Sequence, residues 1–490
     1  MKRKHFALFI VYRIIEFNSK MNRYLLTVIV FWFCFCNVGC AQRNVTSSDG
    51  KSENSGIRVN PVDFTYAAEN TINAVIHISA EMQQKSSLFD FFYHDPFPDI
   101  FGQQQMRVYQ AYGSGVILSE DGFIITNNHV VEGATKIKVT LNDKRAFEAA
   151  IVGTDEKNDL ALLKIDAKNL HNIKYGNSNN VKLGEWVLAV GNPYNLTSTV
   201  TAGIVSAKAR NLNILGGNTS VSSFIQTDAA VNSGNSGGAL VNTAGELIGI
   251  NAAIASNTGS FAGYSFAIPV NIVKKVVDDL MKYGRVQRVF FGASFSEMDG
   301  DKAENMHLNN AKGIQVFKIE SDKSADNAGI KEGDILLSID KHEVNSFPEL
   351  KEILDQHVPG DVILCKIIRG QKEFEIKVTL INIEGTTNII RKGDKIALQK
   401  LGIDVEPVNE QIKARYRVAN GLRVIKIKDG LLKNAGIKND FIITAIDKRP
   451  VATEDDIERI LEDKEGVVHV EGFYPSGYIY GYIYGYNVIM

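Results

Sequence analysis

Ser236 lies in the run Gly234-Asn235-Ser236-Gly237-Gly238, a setting that suits a nucleophile. Glycine adopts backbone angles barred to other residues, which lets neighbouring N–H groups turn toward one point. Peptide hydrolysis needs such donors, because an oxyanion develops in its transition state. The run therefore predicts an oxyanion hole on Gly234, Asn235 and Ser236, with the N–H groups of Gly234 and Ser236 as donors. An ordinary Gly-rich turn has the same composition, so the run gains force only from partners elsewhere. A serine hydroxyl is a poor nucleophile near neutral pH. It needs an imidazole as base, and the imidazole needs a carboxylate that holds its tautomer. His129 closes the strand-like Ile125-Thr126-Asn127-Asn128-His129, and Asp159 opens the apolar Leu160-Ala161-Leu162-Leu163. Asp155 is the rival acid. Asp159 is preferred because the buried run that follows it would hold its carboxylate at a strand end beside the core. Asp228 is read as a structural hydrogen-bonding group near the nucleophile loop.

These residues require a rigid, strand-rich frame. From about Phe64 to Pro269, short β-like runs such as Gly115-Val116-Ile117-Leu118 and Leu247-Ile248-Gly249-Ile250 alternate with Gly/Asn turns. That pattern predicts an all-β sandwich or barrel. The order His, Asp, Ser is that of the chymotrypsin barrels and not of subtilisin or the α/β-hydrolases. Residues 270–283 place apolar side chains at 273, 276, 277, 280 and 281, the spacing of one helix face. Beyond this helix the chain repeats itself. Ala328-Gly329-Ile330-Lys331 recurs as Ala435-Gly436-Ile437-Lys438, and Ile339-Asp340-Lys341 as Ile446-Asp447-Lys448, each 107 residues on (435 less 328, 446 less 339). A unit of this size is a domain, not a solenoid repeat. Gly333-Asp334 of the first copy is replaced by Asp440-Phe441 in the second, and Asp tolerates a left-handed turn. Thr453, three residues before Asp456, predicts a capped helix start.

The 490 residues imply several domains, and an apolar share of 44% is that of folded protein. Lys plus Arg number 54 against 56 Asp plus Glu, a balance that gives no reason to expect nucleic acid or an anionic membrane as partner. Leu25 to Val38 is an apolar run, too short to span a bilayer and matched to a signal-peptide core. Met21 fits a true start. Gly39-Cys40-Ala41 reads as a cleavage site, while Val38-Gly39-Cys40 resembles the end of a bacterial lipobox with a lipid anchor on Cys40. Cys365 stands alone beyond the leader and is read as a buried apolar residue in a strand.

Thr126-Asn127-Asn128-His129-Val130-Val131, Asp159-Leu160-Ala161, Gly191-Asn192-Pro193, Gly203-Ile204-Val205-Ser206, Gln226-Thr227-Asp228-Ala229 and Gly234-Asn235-Ser236-Gly237-Gly238-Ala239-Leu240 resemble the HtrA (Deg) family of serine proteases. The repeat resembles its two PDZ domains, in the manner of DegP and DegQ. The resemblance implies a mainly β, multidomain chain. Its parts are a signal peptide over 1–41, a linker over 42–63, a chymotrypsin-like double β-barrel protease domain over 64–283, and α+β PDZ domains over 284–384 and 395–490.

By the same likeness, Ile250, Asn251 and Ala252 would line the pocket for the residue before the cut, with Ala230 nearby. That pocket is apolar and would take Val or Ala. Arg210 matches a sensor of PDZ occupancy, in a loop that continues through 211–220. The aromatic segment Ser87 to Phe97 matches a loop that reaches a neighbouring subunit. Arg288, Phe290, Phe291, Gly292 and Ala293 resemble the loop that holds a peptide C-terminus in the first PDZ domain. Lys400-Leu401-Gly402-Ile403 is the weaker counterpart in the second. Tyr at every even position from 478 to 486 gives one all-Tyr strand face, read as a terminal hairpin.

Together these readings predict an ATP-independent serine endopeptidase of the periplasm, soluble or lipid-anchored, acting on misfolded envelope proteins through an acyl-enzyme. It would be governed by PDZ peptide binding and by assembly into trimers or multiples of them. A chaperone or scaffold using the same surfaces is the alternative class. No cofactor is expected, and no paired His/Cys spacing suggests a metal.

Overall fold

The computed structural model describes residues 62–82, 109–193, 198–210, 223–254, 263–462, 464, 466–475 and 484–490. The expectations for the leader, the linker through residue 61, the aromatic segment 87–97, the loop 211–220 and the Tyr run 477–483 lie outside them.

Helix α1 (Thr65–Ile72) precedes strands β1 (Val75–Met82), β2 (Tyr109–Ile117), β3 (Phe123–Thr126), β4 (Ala134–Thr140), β5 (Ala146–Asp155) and β6 (Leu160–Ile165). These six close into a barrel in the order β1-β2-β3-β6-β5-β4. A second closed barrel follows from β7 (Trp186–Gly191), β8 (Thr199–Arg210), β9 (Phe224–Thr227), β10 (Ala239–Asn242), β11 (Leu247–Ile254) and β12 (Ser265–Pro269), in the order β10-β11-β12-β9-β8-β7. Closure leaves no unpaired strand edge. It also explains the sequence pattern, since inward side chains alternate with outward ones along each strand. Ile76, Ile78, Val139 and Leu163 fill the first barrel, and Val187, Ala189, Ile225 and Leu240 the second. A third cluster, with Val116, Leu162, Leu188, Val190 and Phe266, lies between them and joins the barrels into one body.

Helix α2 (Val270–Tyr283) has the bounds read from its periodicity and ends at Gly284, whose φ of 70° supplies the left-handed stop. Val273, Val276, Val277 and Leu280 are buried. Met281 is not: it is 52% exposed, one step of about 100° beyond Leu280 and so on the outer side.

Two six-stranded sheets follow. The first holds β13 (Ala293–Glu297), β14 (Ile314–Ile319), β15 (Ile335–Ile339), β16 (His342–Glu343), β17 (Val362–Arg369) and β18 (Lys372–Thr379), with α3 (Phe347–Leu354). The second begins with α4 (Ile396–Leu401). It holds β19 (Ile403–Pro407), β20 (Leu422–Ile427), β21 (Ile442–Ile446), β22 (Arg449–Pro450), β23 (Val467–Phe473) and β24 (Tyr484–Ile489), with α5 (Glu454–Ile460). The strand orders are the same, as the internal repeat requires. Gly333 has φ 89° and Asp440 φ 69°, so the turn survives the replacement. The next position has changed trade. Asp334 takes a bidentate pair from Arg369, whereas Phe441 is fully buried against Tyr474 and Tyr486. Thr453 makes its capping box with Asp456. Cys365 is fully buried in β17, and burial pushes its thiol up to about 12. β24 pairs antiparallel with β23, the hairpin expected at the chain's end.

The sheets meet the barrels through ion pairs. Arg288 is paired with Asp155, at the end of β5, and Arg449 Nη2 lies 3.0 Å from Glu156 Oε1. Arg285 Nε lies 2.8 Å from Glu462 Oε1. These groups border a charged cavity of about 650 Å3 where both sheets approach the β5–β6 turn. Burial alone would raise the Asp155 carboxyl. The Arg288 guanidinium, hydrogen bonds from Asn158 and the Lys275 ammonium outweigh it and hold the carboxyl below its usual range. A depressed folded-state pKa contributes stability that is complete above the ordinary carboxylate pKa, about 4, and is lost as pH falls through the lower folded value. Protection of the β5–β6 amides against hydrogen exchange is therefore expected to hold through pH 4 and to fall below it. In Asp155→Asn that acid-dependent step should be smaller; an unchanged step would show that other carboxylates govern it.

Candidate active site

β3 delivers the chain to a single helical turn, Asn128–Val131, that carries His129. β6 begins just after Asp159 and pairs with β3, so the two residues arrive at the same barrel end. Asp159 Oδ2 lies 2.7 Å from His129 Nδ1, and Asp159 Oδ1 accepts the His129 backbone N–H at 2.9 Å. An ionised carboxylate can only accept, so Nδ1 carries its proton toward Asp159 and Nε2 is the nitrogen left to act as base. Both side chains are nearly inaccessible, at 1% and 2%. The Asp159 backbone has φ 51°, a left-handed conformation uncommon for a residue with a side chain. Its carbonyl accepts from Asn127 Nδ2 at 2.9 Å and from Asn128 N at 3.1 Å, which holds the strained residue in place. Asp155 instead receives its own turn through Asn158 and pairs with Arg288. Asp228 Oδ1 accepts the Ile204 N–H at 2.7 Å, the structural bond expected of it.

The second barrel supplies the nucleophile loop, between β9 and β10. Ser236 is 7% exposed, and its Oγ donates to the Ala252 carbonyl over 3.4 Å. The loop faces the His129 turn across Gly113. A Cβ at Gly113 would sit 2.7 Å from Val130 and 3.2 Å from the Ser236 carbonyl. Gly234 has φ 92° and Gly237 φ 82°, conformations that only glycine takes without strain. The Asn235 N–H donates to the Asn232 carbonyl at 3.0 Å and the Gly237 N–H to the Asn251 carbonyl at 2.8 Å. The Asn235 N–H is thus engaged within the turn.

The expected pocket residues divide. The Ala252 carbonyl meets Ser236 Oγ, and Ala230 is half-buried, its carbonyl accepting Thr201 Oγ1 at 2.8 Å. Ile250 is fully buried in the cluster between the barrels, and Asn251 braces the nucleophile loop through its backbone and through Nδ2, which donates to the Ala239 carbonyl at 2.9 Å. Arg210 ends β8, its backbone paired with Phe224.

The expected peptide loop of the first sheet divides as well. Arg288 points to the barrels, on Asp155, because that carboxylate is buried there and needs a cation. Phe290 is tied at both ends, its N–H to the Ile381 carbonyl at 2.7 Å and its carbonyl to Ser324 Oγ at 2.8 Å. Phe291 is packed in the sheet's core beside Phe295. Gly292 has φ 76°, and Ala293 opens β13. The counterpart in the second sheet is built differently. Helix α4 packs against α5, burying Ala397, Leu398 and Leu401 with Ile457, Ile460 and Leu461. Glu458 accepts the Ala397 and Leu398 N–H groups at 2.9 and 3.0 Å, and the Gly402 N–H returns to Leu398 at 3.0 Å. This helix was not read from the sequence. The signal was its run of apolar residues at 396, 397, 398 and 401, closed by a glycine.

The trypsin-like peptidase domain family matches residues 113–250, and the PDZ domain family matches residues 289–380. A probable periplasmic serine endoprotease, DegP-like, of Chlamydia trachomatis is 37% identical over 390 residues, covering 77% of this chain and 76% of that protein. A protein of the same description from Hahella chejuensis is 36% identical over 420 residues, covering 82% and 88%. The solved HtrA-type protease AlgW with tripeptide is 34% identical, covers 65% of this chain and 97% of its own, and superposes with a TM-score of 0.50. Two barrels that meet at a His–Asp pair and a glycine-bound serine, followed by PDZ-type sheets, agree with that kinship: the chain belongs to the HtrA family of serine endoproteases, in its DegP-like branch.

Proposed function

We propose that this chain is an ATP-independent endopeptidase of the periplasm in which His129, Asp159 and Ser236 form the catalytic triad. The observation that carries the reading is the double hold of Asp159 on His129, at Nδ1 and at the backbone N–H. His129 Nε2 takes the proton of Ser236 Oγ as that oxygen attacks the scissile carbonyl. Asp159 stabilises the imidazolium that results. The N–H groups of Gly234 and Ser236 receive the oxyanion. The imidazolium then protonates the leaving amine, and water, deprotonated by the same nitrogen, releases the acyl group from Ser236.

The expected pocket lining, Ala252, whose carbonyl meets Ser236 Oγ, and Ala230, carries no charge, which favours cleavage after small aliphatic residues. The PDZ sheet at 289–380 is read as the site for peptide C-termini. Its groove would run between β13 and α3, with the carboxylate at Phe291 and Gly292. Helix α3 also packs on β8, and Ser223 Oγ donates to the buried carboxylate of Glu352 on α3. Occupancy of the groove would thereby reach the strand that ends at Arg210. In the second sheet, α4 already lies against α5 where a peptide would enter, so that copy is read as architecture. Assembly into trimers or multiples, in a chain that is either soluble or anchored through Cys40, completes the reading.

Four outcomes test it. Ser236→Ala should lower casein cleavage by about 10⁶-fold, by analogy with other triads, with unchanged unfolding; retained cleavage would end the triad assignment. A peptide library should be cut after Val and Ala, and dominant cleavage after Arg or Lys would overturn the pocket assignment. A peptide with a free apolar C-terminus should bind the first sheet and raise the rate, whereas its C-terminal amide should do neither. The same peptide should leave the amide protection of α4 and α5 unchanged; protection there would show the second groove to be open.

A further inference from the structure

We propose that Ser114 is a positioning residue that sets the nucleophile loop across the seam between the barrels. The inference rests on the triad reading, since it concerns how Ser236 and its oxyanion donors are held.

Ser114 belongs to β2, in the first barrel, and is fully buried between Gly113 and Gly115. Its hydroxyl donates to the Gly234 carbonyl at 2.6 Å and accepts the Asn192 N–H at 2.8 Å. Its backbone N–H donates to the Ser236 carbonyl at 2.8 Å, and its carbonyl accepts Thr126 Oγ1 at 2.7 Å. Each of its polar groups is thus used, and three of these four bonds cross to the second barrel. The fourth runs to the strand that leads to His129.

The bonds fix peptide planes, because a carbonyl and the following N–H share one plane. The Gly234 carbonyl is held by Ser114 Oγ while the Asn235 N–H is held by Asn232. The Ser236 carbonyl is held by Ser114 N while the Gly237 N–H is held by Asn251. The plane between them is held as well, since the Asn235 carbonyl accepts the Gly238 N–H at 3.0 Å. Two of the three planes thus depend on Ser114. They lie on either side of the 235–236 plane that carries the Ser236 N–H, and the first of them directly follows the 233–234 plane that carries the Gly234 N–H, so their setting constrains both donors through the shared Cα atoms. The loop is fitted closely to this contact. A Cβ at Gly237 would lie 2.2 Å from the Ser114 carbonyl and 2.3 Å from Thr126 Oγ1.

Removing the hydroxyl leaves the Gly234 carbonyl and the Asn192 N–H without partners in a site closed to water. The loop is then expected to turn its 234–235 plane and misplace the donors. The test uses the full chain with a short apolar p-nitroanilide substrate, a fluorophosphonate that labels the nucleophile, and thermal unfolding. Ser114→Ala should lower kcat and the fluorophosphonate acylation rate together by about 10- to 100-fold, the range of a lost buried hydrogen bond with orphaned partners. KM and the binding of C-terminal peptides should stay within about twofold. Ser114→Cys keeps the bulk with a weaker donor, and should fold and show the same split at smaller amplitude. Unaltered acylation in either folded variant would overturn the proposal. So would failure of both variants to fold, which would make the hydroxyl a folding contact. Ser236→Ala serves as control: if it still cleaves, the triad reading has failed, and if it is silent while Ser114→Ala is fully active, only the present inference has.

Discussion

Asp159 accepts hydrogen bonds from two nitrogens of one residue, the ring and the backbone of His129. A carboxylate buried to this degree costs free energy unless its oxygens are satisfied, and here one partner satisfies both. The arrangement fixes the imidazole tautomer and the path of the chain at once. It also explains the left-handed backbone at Asp159. That conformation turns the carbonyl toward Asn127 and Asn128, so the turn bearing His129 is held by the residue that orients its ring. The first barrel thereby presents an oriented imidazole at its rim. The remaining task of the fold is to bring a hydroxyl to it from the second barrel.

That task is met with backbone contacts more than with side chains. Ser114, Asn251 and Asn235 hold the nucleophile loop by its carbonyls and N–H groups. Backbone groups have no rotamers to lose, which suits donors that must already be in place when charge develops. The ion pairs at the β5–β6 turn act at a longer range. They place charges from both PDZ-type sheets against the loop that ends at Asp159, four residues beyond Asp155.

Much of this was readable in the sequence where the cause is local. The helix at 270–283 follows from its apolar spacing, the duplicated sheets from the recurrence at 107 residues, and the helix cap from Thr453 and Asp456. The adjacency of His129 and Asp159 could be inferred from the strand-like runs on either side. What escaped depends on distant pairing. Ser114 and Gly234 are 120 residues apart, and nothing in Gly113-Ser114-Gly115 announces its partner. Arg288 lies in a segment that reads as a peptide loop, yet a buried Asp155 draws its guanidinium away. Met281 fits the apolar list but falls on the wrong side of a helix that turns about 100° per residue.

The seam between the barrels has a consequence in time. His129 and Asp159 belong to the first closed barrel and Ser236 to the second. With the proposed triad, a chain in which one barrel has folded and the other has not holds only part of the catalytic constellation. On that reading, activity begins only when both halves have closed on each other.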